Sequence, residues 1–330
     1  MTERRYDPVS DQWVSFATHR QDRSFLPSRA ACPLCPSRPG GEPTEIGRPG
    51  YEIVVFDNRY PALLPEPPPP DVAGSDLYPV EASHGRCEVV VFSDRHDATL
   101  TELGAGRIRL LIDVWADRYA ILGAERHVRY VMPFENKGEA IGVTLHHPHG
   151  QIYAYPEIPP MPLRHLEAAQ RYRQRTGRQV WADVVDDVRR DRRRLVLDGS
   201  HFIVQVPFAS RFPYELQIVA KTHVPSLLAL DPSGRDDLAR LIGLTLRTYD
   251  GLFGFPLPYV MALYSRPTGG APAWGGDWDD ASWLWLDFLP PHREAAKLKY
   301  LAGSELAGGA FMTDVAPEEA AERLRRVLTP

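Results

Sequence analysis

The chain has 330 residues, of which 43% are hydrophobic, so it can form one large domain or two ordinary ones with a packed core. Its 38 basic and 43 acidic residues give a net charge of −5, which excludes a protein-wide positive field for nucleic acid or an anionic membrane. No apolar run approaches the roughly 20 residues that span a bilayer, and no secretory signal is apparent, so we expect a cytoplasmic protein.

The first motif along the chain is the Cys-x-x-Cys formed by Cys32 and Cys35. The total of three cysteines argues against a disulfide framework in a chain of this length. Two thiolates at this spacing can hold one tetrahedral metal ion, so the motif predicts a metal site, with a pair of reduced buried cysteines as the alternative. The nitrogen ligands would be His96 and one of two later histidines, His147 or His149.

Two stretches of the chain share the order strand, turn, amphipathic helix and strand. The β-branched run 85–96, which contains Cys87 as a predicted core residue, leads to a helix at 106–122 and to a strand that begins at Tyr130. The run 214–223 leads in the same way to a helix at 236–252 and a strand at Tyr259. The match predicts two copies of one α/β unit, 1–165 and 195–330, joined by a helical connector at 166–194.

The run His147-Pro148-His149-Gly150-Gln151 follows the last strand of the first copy. A neutral imidazole can attack an α-phosphorus and form a phosphoramidate that a second phosphate discharges, so His149 is the candidate nucleophile. Gln151 and Thr144 could hold the non-bridging phosphate oxygens during the attack. The alternative is a pair of structural or surface histidines.

The run from His147 to Gln151, the Cys-x-x-Cys motif and the sequence Phe-Glu-Asn-Lys-Gly at 134–138 together resemble the galactose-1-phosphate uridylyltransferase family, the transferase branch of the histidine-triad superfamily. The resemblance covers nearly the whole chain. It implies an α/β (α+β) fold in which a histidine-triad-like unit is duplicated, with two half-barrel antiparallel sheets and packed helices. The second copy would be chemically degenerate and would contribute sugar-site and dimer contacts.

The resemblance also implies roles for individual residues. His149 would be the covalent nucleophile and Gln151 the partner of the transferred phosphate, while Thr144 stands where the family usually has serine. One structural zinc ion would be held by Cys32, Cys35, His96 and His147. The substrate-binding residues implied are Arg20 and Arg23 near the phosphates, Leu34 and Asn58 on segments that meet the uridine, and Asn136 on the phosphate side.

The implied reaction is a ping-pong transfer of UMP from UDP-glucose to a hexose 1-phosphate, with galactose 1-phosphate as the default acceptor. Family dimers place a segment that resembles 299–305 in the neighbouring subunit's site, so the resemblance implies a homodimer in which Lys299 and Glu305 meet the sugar phosphate and hydroxyls. Phe311 stands where the family has a sugar-binding glutamine. This departure keeps a related activity open, such as an ADP-sugar phosphorylase, and a non-catalytic nucleotide-binding module is a further alternative.

Some family members hold a second metal with a glutamate that follows the nucleophile and three histidines of the second copy. Here Trp283 and Trp285 occupy a His-x-His position, and the segment ending at Tyr264 lacks the third histidine. We therefore expect no second metal site and predict that both tryptophans lie in the core or at an interface.

Overall fold

The computed structural model describes residues 1–22, 26–37, 40 and 43–328. Its strands are β1 Thr2–Asp7, β2 Gln12–Ala17, β3 Val54–Asp57, β4 Val80–Ala82, β5 Arg86–Val91, β6 Tyr130–Lys137, β7 His149–Tyr155, β8 Leu195–Asp198, β9 Phe202–Gln205, β10 Leu216–Ala220, β11 Tyr259–Tyr264, β12 Trp285–Leu289, β13 His292–Glu294 and β14 Lys297–Leu298. Its helices are α1 Leu100–Gly123, α2 Pro160–Thr176, α3 Val180–Asp191, α4 Pro232–Phe253, α5 Gly303–Leu306 and α6 Pro317–Leu328.

Nine of these strands form one antiparallel sheet in the order β3-β5-β7-β6-β11-β12-β10-β9-β8. The two predicted half-sheets meet where β6 pairs with β11. Outward from this junction, each half has the strand that follows its long helix, then the next strand along the chain, then the strands that precede the helix. The helices α1 and α4, one from each half, pack against each other. This arrangement confirms the prediction of a mixed α/β fold with antiparallel sheets. The continuous pairing across the junction joins the two halves through the backbone as well as through the core.

The two long helices begin earlier than the hydrophobic periodicity indicated, because both have N-terminal caps upstream of their apolar stripes. Thr99 and Glu102 form a capping box at the start of α1, and Asp231 accepts a hydrogen bond from the backbone N–H of Gly234 at the start of α4. Gly104 interrupts α1 with a φ of 78°, a conformation that suits glycine. The helices therefore cover Leu100–Gly123 and Pro232–Phe253 instead of 106–122 and 236–252.

Equivalent strands of the two halves do not present equivalent residues. Side chains alternate along a strand, and paired residues point to the same side of the sheet. Tyr130 is four residues from Phe134, so it lies on the side of Phe134 and of its partner Ala262. Tyr259 is three residues from Ala262, so it lies on the opposite side. The match of Tyr130 to Tyr259 in the sequence is therefore not a structural equivalence. The order of elements is duplicated, but the alternation of side chains is offset by one residue on this strand.

The segment between β7, the last strand of the first half, and β8, the first strand of the second half, is helical. The helices α2 and α3 fall in it, and Val185 and Val188 of α3 are buried in the main core. Trp181 of α3 packs against Trp285 of β12, with ring centroids 5.1 Å apart. These helices therefore cover part of the second half-sheet. Within the described residues, none of the helices combines the length and the apolar character that crossing a membrane requires.

Candidate active site and metal centre

The run 147–151 lies where the loop after β6 enters β7. Gly138 and Gly142, with φ of 91° and 80°, flank a short 3-10 helix in this loop, and both values are ones that glycine adopts without strain. The strand β7 then runs between β5 and β6, with His149 opposite Val91 and Gln151 opposite Phe134. Because side chains alternate along a strand, His149 and Gln151 share one face, while Gly150 lies on the helix-covered face.

The four predicted metal ligands lie together. The ligand atoms of Cys32, Cys35, His96 and His147 are all within 4.8 Å of one another, so this group could hold a metal ion. Cys35 Sγ is 3.4 Å from His96 Nδ1 and 3.6 Å from His147 Nδ1, and Cys32 Sγ is 3.8 Å from His147 Nδ1. Of the two histidines that the sequence left open, His147 is the one in this group.

The far side of the His147 ring is fixed by contacts that the sequence did not reveal. Its Nε2 donates a hydrogen bond to the Ser93 carbonyl at 2.7 Å and lies 3.1 Å from the Tyr51 hydroxyl. That hydroxyl donates to the Leu34 carbonyl at 2.7 Å. A proton on Nε2 leaves the Nδ1 lone pair for a metal, and burial lowers the pKa of His147 to about 4, which keeps the ring neutral. No local signal marks Tyr51, because its partners lie 17 and 96 residues away.

His149 has the opposite arrangement of its ring nitrogens. Its Nδ1 lies 2.7 Å from the carbonyl oxygen of His147, and since a carbonyl only accepts, Nδ1 carries the proton. Its Nε2 therefore keeps a free lone pair. Burial lowers the pKa of His149, which favours this neutral form. The two histidines are thus held as different tautomers, one suited to a metal and the other to nucleophilic attack.

His149 lies at the boundary of two cavities. One, of about 120 Å³, is lined among others by Leu34, Asn58, Thr144 and Gln151, and the other, of about 200 Å³, is lined by Asn136. Five residues predicted from distant parts of the sequence therefore surround the candidate nucleophile. Four of the five side chains provide amide or hydroxyl donors, which suit the oxygens of a phosphate. The lining of each cavity also includes one carboxyl group, that of Glu45 in the smaller cavity and that of Glu135 in the larger one.

The remaining predicted substrate-binding residues do not all lie beside His149. Arg20 donates from Nη1 to the Tyr60 carbonyl at 3.0 Å, at the edge of the smaller cavity, whereas Arg23 lies outside the described residues. Lys299 and Glu305 form an ion pair with each other at 3.1 Å and do not line either cavity beside His149.

Aromatic side chains occupy the positions at which the resemblance placed the histidines of a second metal site. Tyr264 and Trp285 stack with centroids 4.0 Å apart, the His165 ring lies 5.3 Å from each of them, and Trp283 is buried. Within the described part of the chain, the group around Cys32 is the one cluster of three or more potential ligands whose donor atoms come together. Both tryptophans are core residues.

The chain is similar to one family over almost its whole length. Residues 1–159 match the N-terminal domain of galactose-1-phosphate uridyl transferase, and residues 165–329 match the C-terminal domain. The galactose-1-phosphate uridylyltransferase of Thermotoga maritima is 34% identical over 98% of this chain and 98% of its own length. That of Streptomyces lividans is 37% identical over 99% of this chain and 87% of its own length. A solved structure of a uridylyltransferase superposes with a TM-score of 0.87 at 32% identity, covering 99% of this chain and 98% of the other.

Proposed function

Because this chain belongs to the galactose-1-phosphate uridylyltransferase family, we propose that it transfers UMP from UDP-glucose to a hexose 1-phosphate, with galactose 1-phosphate as the acceptor, through a covalent intermediate on His149. The observation that carries the proposal is the tautomer of His149. Its proton is held on Nδ1 by the His147 carbonyl, so Nε2 has a lone pair, and the cavities beside His149 include amide and hydroxyl groups in their lining.

The proposed reaction has two displacements at one phosphorus. In the first, His149 Nε2 forms a bond to the α-phosphorus of UDP-glucose, and the bond from that phosphorus to the bridging oxygen breaks, which releases glucose 1-phosphate. In the second, a phosphate oxygen of the hexose 1-phosphate attacks the same phosphorus and the P–N bond breaks. The proton on Nδ1 stays in place throughout, and its hydrogen bond to the His147 carbonyl stabilises the positive charge that the ring carries in the intermediate.

The neighbouring side chains would stabilise the transferring phosphoryl group. Gln151 and Thr144 line the smaller cavity with His149, and Asn136 lines the larger one, so each cavity beside the nucleophile contains at least one donor. We assign Arg20 and Arg23 to the phosphates, and Leu34 and Asn58 to the nucleoside. Removal of one such donor typically lowers the rate of a charge-developing step by about 10²–10³-fold.

We propose that the metal held by Cys32, Cys35, His96 and His147 is one zinc ion. Zn–S bonds of about 2.3 Å and Zn–N bonds of about 2.0 Å at a tetrahedral angle separate sulfur from nitrogen by about 3.5 Å. Three of the four S···N separations in this group are 3.4, 3.6 and 3.8 Å. Zinc bound by four protein ligands has no open position, so its contribution would be structural: it would hold the Cys-x-x-Cys loop against the segment that enters β7.

We further propose a homodimer in which Lys299 and Glu305 act in the partner subunit's site. The segment around them exposes large apolar side chains: Tyr300, Leu306 and Met312 are 75%, 72% and 68% exposed. Apolar side chains grouped in this way are typical of a surface that another protein covers. The cytoplasmic location expected from the sequence stays a prediction.

The central test is a search for the covalent intermediate. Intact-protein mass spectrometry after incubation with UDP-glucose alone should detect one added UMP, which subsequent galactose 1-phosphate removes as UDP-galactose. His149→Ala should abolish the adduct, whereas His127→Ala, a change of an exposed histidine that lines neither cavity, should retain it. An adduct on His149→Ala would show that the nucleophile is a different residue.

The same assay separates the alternative functions. An adduct formed from ADP-glucose and discharged by inorganic phosphate, with none from UDP-glucose, would replace the proposal with an ADP-sugar phosphorylase. Binding of UDP-glucose without an adduct or turnover would indicate a non-catalytic nucleotide-binding module.

A further inference from the structure

We propose that Asn58 is a positioning residue that sets the orientation of the Gln151 side-chain amide. This inference rests on the proposed function, in which Gln151 holds a phosphate oxygen. To do so, Gln151 must present its NH₂ group, because its carbonyl oxygen would repel a phosphate oxygen. The two ends of a glutamine amide have nearly the same shape, so shape alone does not select between the two orientations. A hydrogen-bond partner with a defined polarity has to select one.

The selection starts from a backbone group. The Tyr60 backbone N–H lies 2.9 Å from one end of the Asn58 amide, and because a backbone N–H only donates, that end is the oxygen Oδ1. The other end of Asn58 is therefore the NH₂ group. It donates from Nδ2 to Gln151 at 3.2 Å, so the atom of Gln151 that faces it is the oxygen Oε1. The Gln151 NH₂ group is left on the side away from Asn58.

Asn58 is well placed to impose this polarity. It directly follows β3, and its own N–H donates to the Cys87 carbonyl on β5 at 2.7 Å, so the main sheet holds its backbone. The neighbouring Tyr60 is held as well, since its carbonyl accepts a hydrogen bond from Arg20 at 3.0 Å. Asn58 and Gln151 both line the cavity beside His149, where the amide orientation has its effect.

The substitution Asn58→Asp separates this role from a simple contact. An aspartate in the same position has no donor, so it would accept from the Gln151 NH₂ group and turn the Gln151 oxygen towards the phosphate. The phosphate would then lose the hydrogen bond from the Gln151 NH₂ group, which should slow the uridylylation step by about 10²-fold at saturating UDP-glucose. Asn58→Ala leaves both orientations accessible, so its effect should be smaller.

The test is a double-mutant cycle between positions 58 and 151. Single-turnover rates of His149 uridylylation and the Kd of UDP-glucose would be measured for wild type, Asn58→Asp, Asn58→Ala and Gln151→Ala, and for both substitutions of Asn58 in the Gln151→Ala background. We expect Gln151→Ala to slow uridylylation as strongly as Asn58→Asp does, and Asn58→Ala to have no further effect once Gln151 is absent. Any slowing that Asn58→Asp still causes in that background measures its added negative charge.

Additive effects of Asn58→Ala and Gln151→Ala on the rate would overturn the proposal, as would an effect of Asn58→Ala on the Kd alone. Far-UV circular dichroism and Tm would identify a variant that fails to fold. If one of the two substitutions of Asn58 fails in this way, the other still tests the proposal. The outcome is distinguishable from failure of the proposed function, because that failure would leave the wild-type protein itself without a uridylyl adduct.

Discussion

Glu135 connects the two halves of the molecule and is expected to make the protein's stability depend on pH. It lies on β6, is 5% exposed, and accepts a hydrogen bond from the hydroxyl of Tyr259 on β11 at 2.9 Å. Burial raises the pKa of Glu135 from 4.5 to about 7, although the Lys137 charge and the Tyr259 hydrogen bond oppose the rise. We predict that Glu135→Gln removes a pH-dependent loss of stability.

The size and sign follow from the pKa difference between folded and unfolded protein. A carboxyl whose pKa rises from 4.5 to about 7 on folding binds a proton more tightly in the folded state. Its contribution to stability is fully present below pH 4.5 and is lost as the pH rises through 7. At about 1.4 kcal/mol for each pKa unit, the total loss is on the order of 3 kcal/mol. Glutamine has no proton to lose and can still accept the Tyr259 hydrogen bond.

The assay is urea unfolding of wild type and Glu135→Gln at several pH values from 4.5 to 8, with the metal content held constant. The stability of the variant relative to wild type should increase by about 3 kcal/mol across this range. A flat difference curve for Glu135→Gln would refute the reasoning, because it would mean that Glu135 titrates alike in the folded and unfolded states.

Three further changes test other parts of the structure. A Cβ at Gly150 would lie 2.8 Å from the Phe134 carbonyl oxygen on β6, so Gly150→Ala should lower the free energy of unfolding by about 1–3 kcal/mol, and an unchanged urea midpoint would contradict this packing. Cys32→Ser should weaken zinc binding in competition with a chromogenic chelator and lower Tm, and a variant that keeps both values would exclude Cys32 as a ligand. Subunit mixtures of Lys299→Ala and His149→Ala should be more active than either variant alone, since a mixed dimer of the proposed kind would contain one complete site. No gain after subunit exchange would show that Lys299 does not act in the partner's site.

Several residues that the sequence singled out lie together in the structure, and the motifs that carry them are encoded locally. The Cys-x-x-Cys spacing and the run from His147 to Gln151 place specific groups on adjacent positions, and alternation along a strand then sets which of them share a face. The β-branched run before His96 and the periodicity of the long helices similarly identified the main elements. Their starts were less accurate, because caps such as Thr99 and Asp231 lie upstream of the apolar stripe.

The features that the sequence did not predict are contacts between distant segments. The pairing of β6 with β11 depends on backbone hydrogen bonds between strands more than a hundred residues apart, and no local pattern specifies it. The same holds for Asn58 and Gln151, which are 93 residues apart, and for Tyr51, which is 96 residues from His147. The resemblance assigned Asn58 to a segment near the nucleoside, but the direction of its hydrogen bonds required the folded chain.

His147 contacts both the proposed metal site and the candidate nucleophile, each through a different group. Its Nδ1 faces the cysteines, while its carbonyl oxygen holds the proton of His149 on Nδ1. Without that carbonyl, the His149 proton could move to Nε2, and the lone pair needed for attack would be lost even if the ring did not move. Rotation of the His147 backbone away from the cysteines would also turn this carbonyl. In the proposed reaction, the position of His147 would therefore control which nitrogen of His149 can react, and this would couple the proposed metal site to catalysis.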